Sequence, residues 1–360
     1  MGRTASHGHA FTFADLFAGI GGMRLAFEKA GGACILTSEL DRNARTTYKA
    51  QKWKWNLAGH RYVHNVVTLG SFERDEYPDE DIDVLLAGFP CQPYSIAGLR
   101  QGLEDEKGRG QVFLSMLDIL KTTQPKAFLL ENVKGLKSHD GGRTVEYMIE
   151  ELAKCGDGYS VLEPEVLNSM VHGGVPQNRE RLFIVGFHRG KVGSVASQQA
   201  GNLFSSGDAD HVFTWPGPID VTRSLKEIVQ KDGVPEKYFY TAEKYDCYNE
   251  IAEMVTRTDT AYQWRRVYVR ENKSGVCPAL TANMGSGGHN VPLVKVGRKI
   301  RKLTPLECAD LQGFPRSYVL PSGMADSHLY HQFGNSVTVP LIERLAEEMA
   351  RVLRDASARH

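Results

Sequence analysis

Apolar positions in the first half of the chain fall into short runs separated by segments of helical spacing. Phe11 to Phe17 is an apolar, aromatic run that ends in a glycine loop, Gly19-Ile20-Gly21-Gly22, and predicts a strand. Met23 to Ala30 then shows helical spacing and stops at Gly31-Gly32, a C-terminal signal. Cys34 to Ser38 predicts a second strand, followed by Glu39-Leu40-Asp41 and a polar helix from Arg42. Asp83 to Ala87 reads as a buried strand opening into Gly88-Phe89-Pro90-Cys91. Val112 to Lys121 predicts a helix, Ala127 to Leu130 a strand, and Thr144 to Cys155 a helix. Strands alternating with helices require right-handed crossovers and a mostly parallel sheet, so the class is α/β. After about residue 190 the texture changes. Residues 191–210, rich in Ser, Gly, Gln and Ala, read as a linker or exposed loop, and the stretch to about 300 lacks the alternating rhythm. Residues 337–354 close the chain with an amphipathic helical pattern.

Composition narrows the class without naming a function. A chain of 360 residues suggests two domains, and 41% hydrophobic with 24% charged residues is an ordinary globular balance. No apolar run approaches the roughly 18 residues of a membrane span. Lys+Arg 43 against Asp+Glu 43 leaves zero net charge, so any nucleic-acid surface must come from local clustering. Two clusters exist. One is Arg265, Arg266, Arg270 and Lys273 interleaved with Trp264 and Tyr268; the other is Lys295, Arg298, Lys299, Arg301 and Lys302. The closest two of the six cysteines, Cys247 and Cys277, are 30 positions apart, which excludes a C-x-x-C zinc pair and reads as free thiols in the reducing cytoplasm.

The chemistry concentrates at strand ends. A strand, a glycine loop and a helix let backbone approach a nucleotide-like cofactor, and Glu39, about twenty residues on, can accept hydrogen bonds from ribose hydroxyls. Arg24 occupies the third glycine position of the dinucleotide fingerprint, which argues against a pyrophosphate. Cys91 lies in a Pro- and Gly-containing loop just past a buried strand, where a thiolate can add to an electron-poor ring carbon. Glu131, in Glu131-Asn132-Val133 at another strand end, can donate a proton to a ring nitrogen if its pKa is raised. Gln177, Arg179 and Arg181 share one face of an extended segment that can buttress a loop and present a guanidinium to a carbonyl.

In this order the blocks resemble the DNA cytosine-5 methyltransferases, from about Phe13 to Val337. Asp15-Leu16-Phe17-Ala18-Gly19-Ile20-Gly21-Gly22 is similar to the family's cofactor loop and Gly88-Phe89-Pro90-Cys91-Gln92 to its nucleophile loop. Glu131-Asn132-Val133, Gln177-x-Arg179-x-Arg181, Arg301 to Cys308 with Gln312-Gly313-Phe314-Pro315, and Gln332 to Val337 resemble the remaining blocks. The resemblance implies a Rossmann-like S-adenosylmethionine-dependent fold with a smaller, mostly irregular or β target-recognition domain. It divides the chain into a catalytic domain at 11–190, completed by 324–360, and a target-recognition domain and hinge at 191–323. It implies S-adenosylmethionine held by Phe17, Gly19, Ile20, Gly22, Glu39, Leu40, Asn65, Val66, Gly88, Pro90, Asn335 and Ser336, with no metal. Leu40 stands where the family often has an adenine-stacking tryptophan, and Asn65 where an Asp reads the adenine amine.

By the same resemblance Cys91 attacks C6 of a flipped cytosine, Glu131 binds N3 and the exocyclic amine, Arg181 reaches O2 and Arg179 supports the site. The partner implied is double-stranded DNA, contacted through Gln92, Ser95, Arg109, Gln263, Arg265, Arg266, Tyr268, Thr281 and Asn283. Gln263 is the expected filler of the hole left by the flipped base and Arg266 the expected reader of guanine. A restriction endonuclease encoded nearby, a monomeric state and a cytoplasmic, nucleoid-associated location complete the expectation. Two rivals keep the fold: a tRNA cytosine methyltransferase, whose branch resembles Pro-Pro-Cys-Gln where Phe89-Pro90-Cys91-Gln92 stands here, and a catalytically silent DNA-binding relative.

Overall fold

A computed structural model of the chain describes residues 8–54, 57–90, 109–200, 209–265, 268–272, 275–286 and 290–359. Its main sheet begins with β1 (Phe11–Leu16), β2 (Gly32–Ser38), β3 (Arg61–Val63), β4 (Val84–Gly88) and β5 (Ala127–Val133). These five run parallel in the order β3-β2-β1-β4-β5. The chain leaves β1 in one direction to β2 and β3, and returns on its other side through β4 and β5. That reversal opens a crevice at the carboxyl ends of β1 and β4, where doubly wound sheets place ligands. Beyond β5 the sheet turns antiparallel: β9 (Glu180–His188) pairs with β5, and β6 (Tyr159–Val161) and β7 (Glu165–Asn168) pair with β9. A two-residue strand, β8 (Gln177–Asn178), lies between β7 and β9 in sequence.

Alternation along each strand fills two buried layers, as expected for a sheet covered on both faces. Phe11, Phe13, Val84, Leu86 and Leu129 point to one layer, and Ala14, Leu16, Leu85, Ala87 and Leu130 to the other. Helices α1 (Gly22–Lys29), α2 (Arg42–Lys49), α3 (Val66–Gly70), α4 (Arg109–Thr123) and α5 (Arg143–Lys154) supply the crossovers. β5 extends three residues further than the apolar run suggested, so Glu131 is a strand residue, in register with Gly88 of β4.

The linker or exposed loop expected at 191–210 is corrected over residues 195–199, while 201–208 lie outside the described residues. Val195–Gln199 forms β10, paired in parallel with β11 (His211–Trp215). Phe213 and Trp215 of β11 join the same buried layer as Phe187 of β9, which explains why a Ser- and Gln-rich strand is retained there. The long C-terminal helix α12 (Val339–Ser357) closes over this pair: Thr214 N–H donates to Glu348 Oε1 at 2.7 Å and Arg351 donates to the Val212 carbonyl.

A second sheet, antiparallel, lies in the stretch that lacked the alternating rhythm. It has the order β12 (Phe239–Tyr240), β17 (Lys299–Lys302), β16 (Leu293–Val296), β13 (Tyr262–Trp264) and β14 (Val269–Glu271), around a core that includes Tyr262, Trp264, Leu293 and Ile300. One strand of this region crosses back: β15 (Cys277–Pro278) pairs in parallel with β8. Two further helices, α10 (Pro305–Leu311) and α11 (Asp326–Asn335), return the chain to the crevice; α6 to α9 are short helices at Ser169–Gly173, Arg189–Val192, Leu225–Ile228 and Tyr248–Met254.

Candidate active site

The glycine loop is shaped by backbone conformations that few side chains tolerate. Phe17, just past β1, has φ 55°, and Gly19 and Gly21 have φ 55° and 85°. A left-handed Phe is a strained position of the kind found at binding sites. A Cβ on Gly21 would lie 2.3 Å from the Trp53 ring, and one on Gly22 2.8 Å from Val337 Cγ2, so both positions demand glycine. Arg24 does not point at the crevice. It is buried behind the loop, paired to Glu28 at 2.7 Å, donating to Tyr48 Oη and lying over the Trp53 ring. That environment accommodates a charged residue where a dinucleotide fold needs its third glycine.

A cavity of about 670 Å³ opens at the carboxyl ends of β1, β2, β4 and β5, and its walls include every cofactor candidate from Phe17 to Ser336 together with Glu131, Arg179 and Arg181. Glu39 holds the loop: its carboxylate accepts from Gly19 N–H and Asp41 N–H, each at 2.7 Å. Burial pushes the Glu39 carboxyl up, and these two N–H donors pull it back. Leu40 is 69% exposed on the cavity rim. Asn65 lines the cavity, but its Oδ1 caps α3 by accepting from Val67 N–H at 2.9 Å, so the amide expected to face an adenine amine already carries one helix-capping bond.

Glu131 is 9% exposed and its Oε1 is 3.0 Å from Arg181 Nε. Next to it, Asn132 donates from Nδ2 to the Phe89 carbonyl at 3.1 Å, fixing the chain that leads to Pro90. Arg179 is 2% exposed and spends its donors on backbone: Nη1 on Leu280 O at 2.6 Å, Nη2 on Gly334 O at 3.2 Å and Ser336 O at 2.5 Å. Burial and the neighbouring Arg181 pull its pKa down to about 9, which leaves it charged at neutral pH. Gln177 completes this buttress, accepting from Leu280 N–H and donating to Leu311 O.

Cys91, Gln92, Ser95 and Arg266 lie outside the described residues, as does the side chain of Arg109. The other DNA candidates are not in the cavity wall. Gln263 is on β13 and Arg265 and Tyr268 are exposed just beyond it, with Arg265 donating to Gln263 Oε1 at 2.9 Å. Thr281 and Asn283 belong to a loop whose single turn, Ala282–Gly285, packs on α11. The basic cluster at 295–302 loses Arg301, which is fully buried in a two-point ion pair with Glu307 and cannot face a duplex. Asp15 and His331 are among the cavity residues that the sequence reading did not assign to the site. Asp15 of β1 is 1% exposed, and its Oδ2 has no hydrogen-bond partner. Burial raises its carboxyl to about 7, against the attraction of Arg24. His331 lines the cavity one helical turn before Asn335, a spacing that would have flagged it. Among the described residues no group of three or more His, Cys, Asp or Glu is placed to hold a metal, and no helix is long and apolar enough to cross a membrane.

Solved structures share this architecture. The Dnmt2 methyltransferase of S. pombe matches with a TM-score of 0.64 at 15% identity, over 96% of this chain and 98% of its own. The DNMT2 of Spodoptera frugiperda matches with a TM-score of 0.64 at 22% identity, over 96% and 99%. At such identities the likeness concerns the fold, which is that of a methyltransferase. Sequence relatives go further. The profile of the C-5 cytosine-specific DNA methylases matches residues 11–351. Type II methyltransferase M.Bsp6I of Bacillus sp. (strain RFL6) is 42% identical over 340 residues, 93% of this chain and 97% of its own. Type II methyltransferase M.HpaII of Haemophilus parainfluenzae is 38% identical over 360 residues, 95% and 90%. The chain belongs to the C-5 cytosine-specific DNA methylase family and is a DNA (cytosine-5)-methyltransferase.

Proposed function

We propose that the chain transfers a methyl group from S-adenosylmethionine to C5 of a cytosine turned out of a specific duplex sequence, by way of a covalent bond between Cys91 and C6. The observation that carries this reading is the single cavity that gathers the glycine loop, Glu39, Leu40, Asn65 and Asn335 with Glu131 and Arg181 at its other wall. Its chemistry fits the cofactor. The partnerless Asp15 Oδ2 offers an acceptor to a cationic or N–H donor group, and exposed Leu40 offers an apolar surface to a base. When bound, S-adenosylmethionine supplies a methyl group on a sulfonium centre.

The chain's residues prepare the base. Addition of the Cys91 thiolate to C6 places electron density on C5, which a neutral cytosine lacks. Glu131 binds the N3 edge and exocyclic amine while Arg181, paired to it, reaches O2; Arg179 acts as a positioning residue through Leu280, Gly334 and Ser336. Loss of the C5 proton to solvent and elimination of the thiolate restore the aromatic ring. A base stacked in duplex is out of reach of both thiol and cofactor, so flipping is required. In this reading the antiparallel sheet within 191–323 is the target-recognition domain. Gln263 fills the vacated position and Arg266 reads guanine. The enzyme acts as a cytoplasmic monomer, opposite a restriction endonuclease that cuts the same unmethylated site.

The test is covalent trapping. Duplex DNA with 5-fluorocytosine at the target, identified by bisulfite sequencing of a plasmid from expressing cells, should form an adduct because fluorine cannot leave as a proton does. Cys91→Ser should abolish both adduct and methylation while keeping cofactor affinity near wild type. An adduct mapped to a different cysteine overturns the assignment.

A further inference from the structure

His331 belongs to none of the roles above, yet it touches both halves of the site. It is exposed on α11, and Asn335, one turn later, donates from Nδ2 to His331 Nε2 at 3.0 Å. The other ring nitrogen, Nδ1, meets the Ala282 carbonyl at 3.3 Å. Ala282 opens the turn of the Thr281–Ser286 loop, and that loop approaches the same helix at backbone distance. A Cβ on Gly334 would lie 2.1 Å from the carbonyl carbon of Thr281, and one on Gly285 2.5 Å from Ser327 O. The residue before the loop, Leu280, is gripped at both its N–H and its carbonyl by Gln177 and Arg179.

These contacts dictate where the protons sit. A backbone carbonyl can only accept, so Nδ1 carries the hydrogen. A neutral imidazole then presents Nε2 as a lone pair. Asn335 must therefore turn its NH₂ toward the ring, and its amide oxygen is the end left for a ligand in the cavity it lines. Without the Ala282 carbonyl either tautomer is open, and the amide can present either end. The loop thus sets the tautomer, and the tautomer sets the amide.

We infer that His331 is a positioning residue that converts seating of the Thr281–Ser286 loop into a fixed orientation of the Asn335 amide, so that DNA and cofactor strengthen one another's binding. The inference rests on the reading of the cavity as the S-adenosylmethionine site. Because linkage is reciprocal, DNA that holds the loop on this seat favours the cofactor by the same factor that the cofactor favours DNA.

The experiment measures that factor. S-adenosylhomocysteine, which cannot react, is titrated calorimetrically into the full chain alone and with a duplex carrying the methylated site's sequence. Wild type should bind it on the order of fivefold or more tightly when DNA is present, at the lower end of ordinary coupling. His331→Leu fills the space without either hydrogen bond and should bring the ratio to within about twofold of one, with little change in thermal melting because the position is exposed. His331→Gln carries one donor for Ala282 O and one acceptor for the Asn335 amide, and should restore most of the coupling. A wild type without coupling, or an unchanged ratio in His331→Leu, overturns the inference while the cofactor reading stands. Failure of the wild type to bind S-adenosylhomocysteine at all overturns both.

Discussion

Asp15 and Glu39 are two carboxyls in the wall of one cavity, held in different ways. Glu39 has a backbone N–H for each oxygen, whereas Asp15 has a buried oxygen with none. Burial accordingly moves Asp15 from 3.8 to about 7. Between those two values the folded chain holds a proton at Asp15 that the unfolded chain has lost, so this group's contribution to stability falls as pH rises through the window and is flat above it. Asp15→Asn should therefore gain in melting temperature over the wild type from pH 4 to pH 7, measured without cofactor. A difference that is constant with pH would mean that Asp15 is ionised in the free protein. Glu131 makes a sharper test of catalysis. Glu131→Gln keeps a hydrogen-bonding side chain but loses the carboxylate, and kcat should fall about 10²-fold or more with DNA affinity far less affected.

At the scale of elements, the site depends on how closely helix α11 and the Thr281–Ser286 loop approach each other. Gly334 stands where backbone meets backbone, and an added methyl has no flexible side chain to displace. Gly334→Ala should lower stability by about 1–3 kcal/mol or more, despite the gain in helix propensity, and should raise the KM for DNA because the loop is pushed off its seat. Equilibrium urea unfolding and steady-state kinetics check the two parts. Strand β10 gives the converse lesson. Its Ser- and Gln-rich sequence has the composition of a linker, and only the pairing with β11 and the cover of α12 make it a strand.

Across the whole molecule, the second sheet is fastened to the helices that return to the crevice by one buried ion pair. Arg301 of β17 reaches Glu307 of α10 through two bonds of 2.6 and 2.8 Å and also donates to Gln230 O. Removing one partner leaves an uncompensated buried charge. Arg301→Met should cost about 3–5 kcal/mol in chemical denaturation, while Arg301→Met with Glu307→Leu should recover a large part of that loss. An equal loss in single and double variants would show that packing, and not charge, governs the position.

What the sequence determined by itself is what short-range physics controls. Apolar runs, glycine stops and helix spacing marked β1, β2, β4 and the helices between them, because backbone preference and side-chain alternation act over a few residues. The strand-end residues Glu39, Gly88 and Glu131 were legible for the same reason, since parallel strands bring their carboxyl ends to one edge, whereas Asn65, Val66, Asn335 and Ser336 were implied by the family resemblance. Burial was not legible. Arg301 sits in a motif that looks like an exposed basic run, and only its packing against Glu307 and Gln230 shows that it serves the interior. Nor was the bond from His331 to Ala282, 49 residues away, since no local pattern specifies which carbonyl a helix will face. Those decisions belong to the tertiary structure, because the free energy of a buried charge or a two-ended imidazole depends on partners that sequence spacing does not encode.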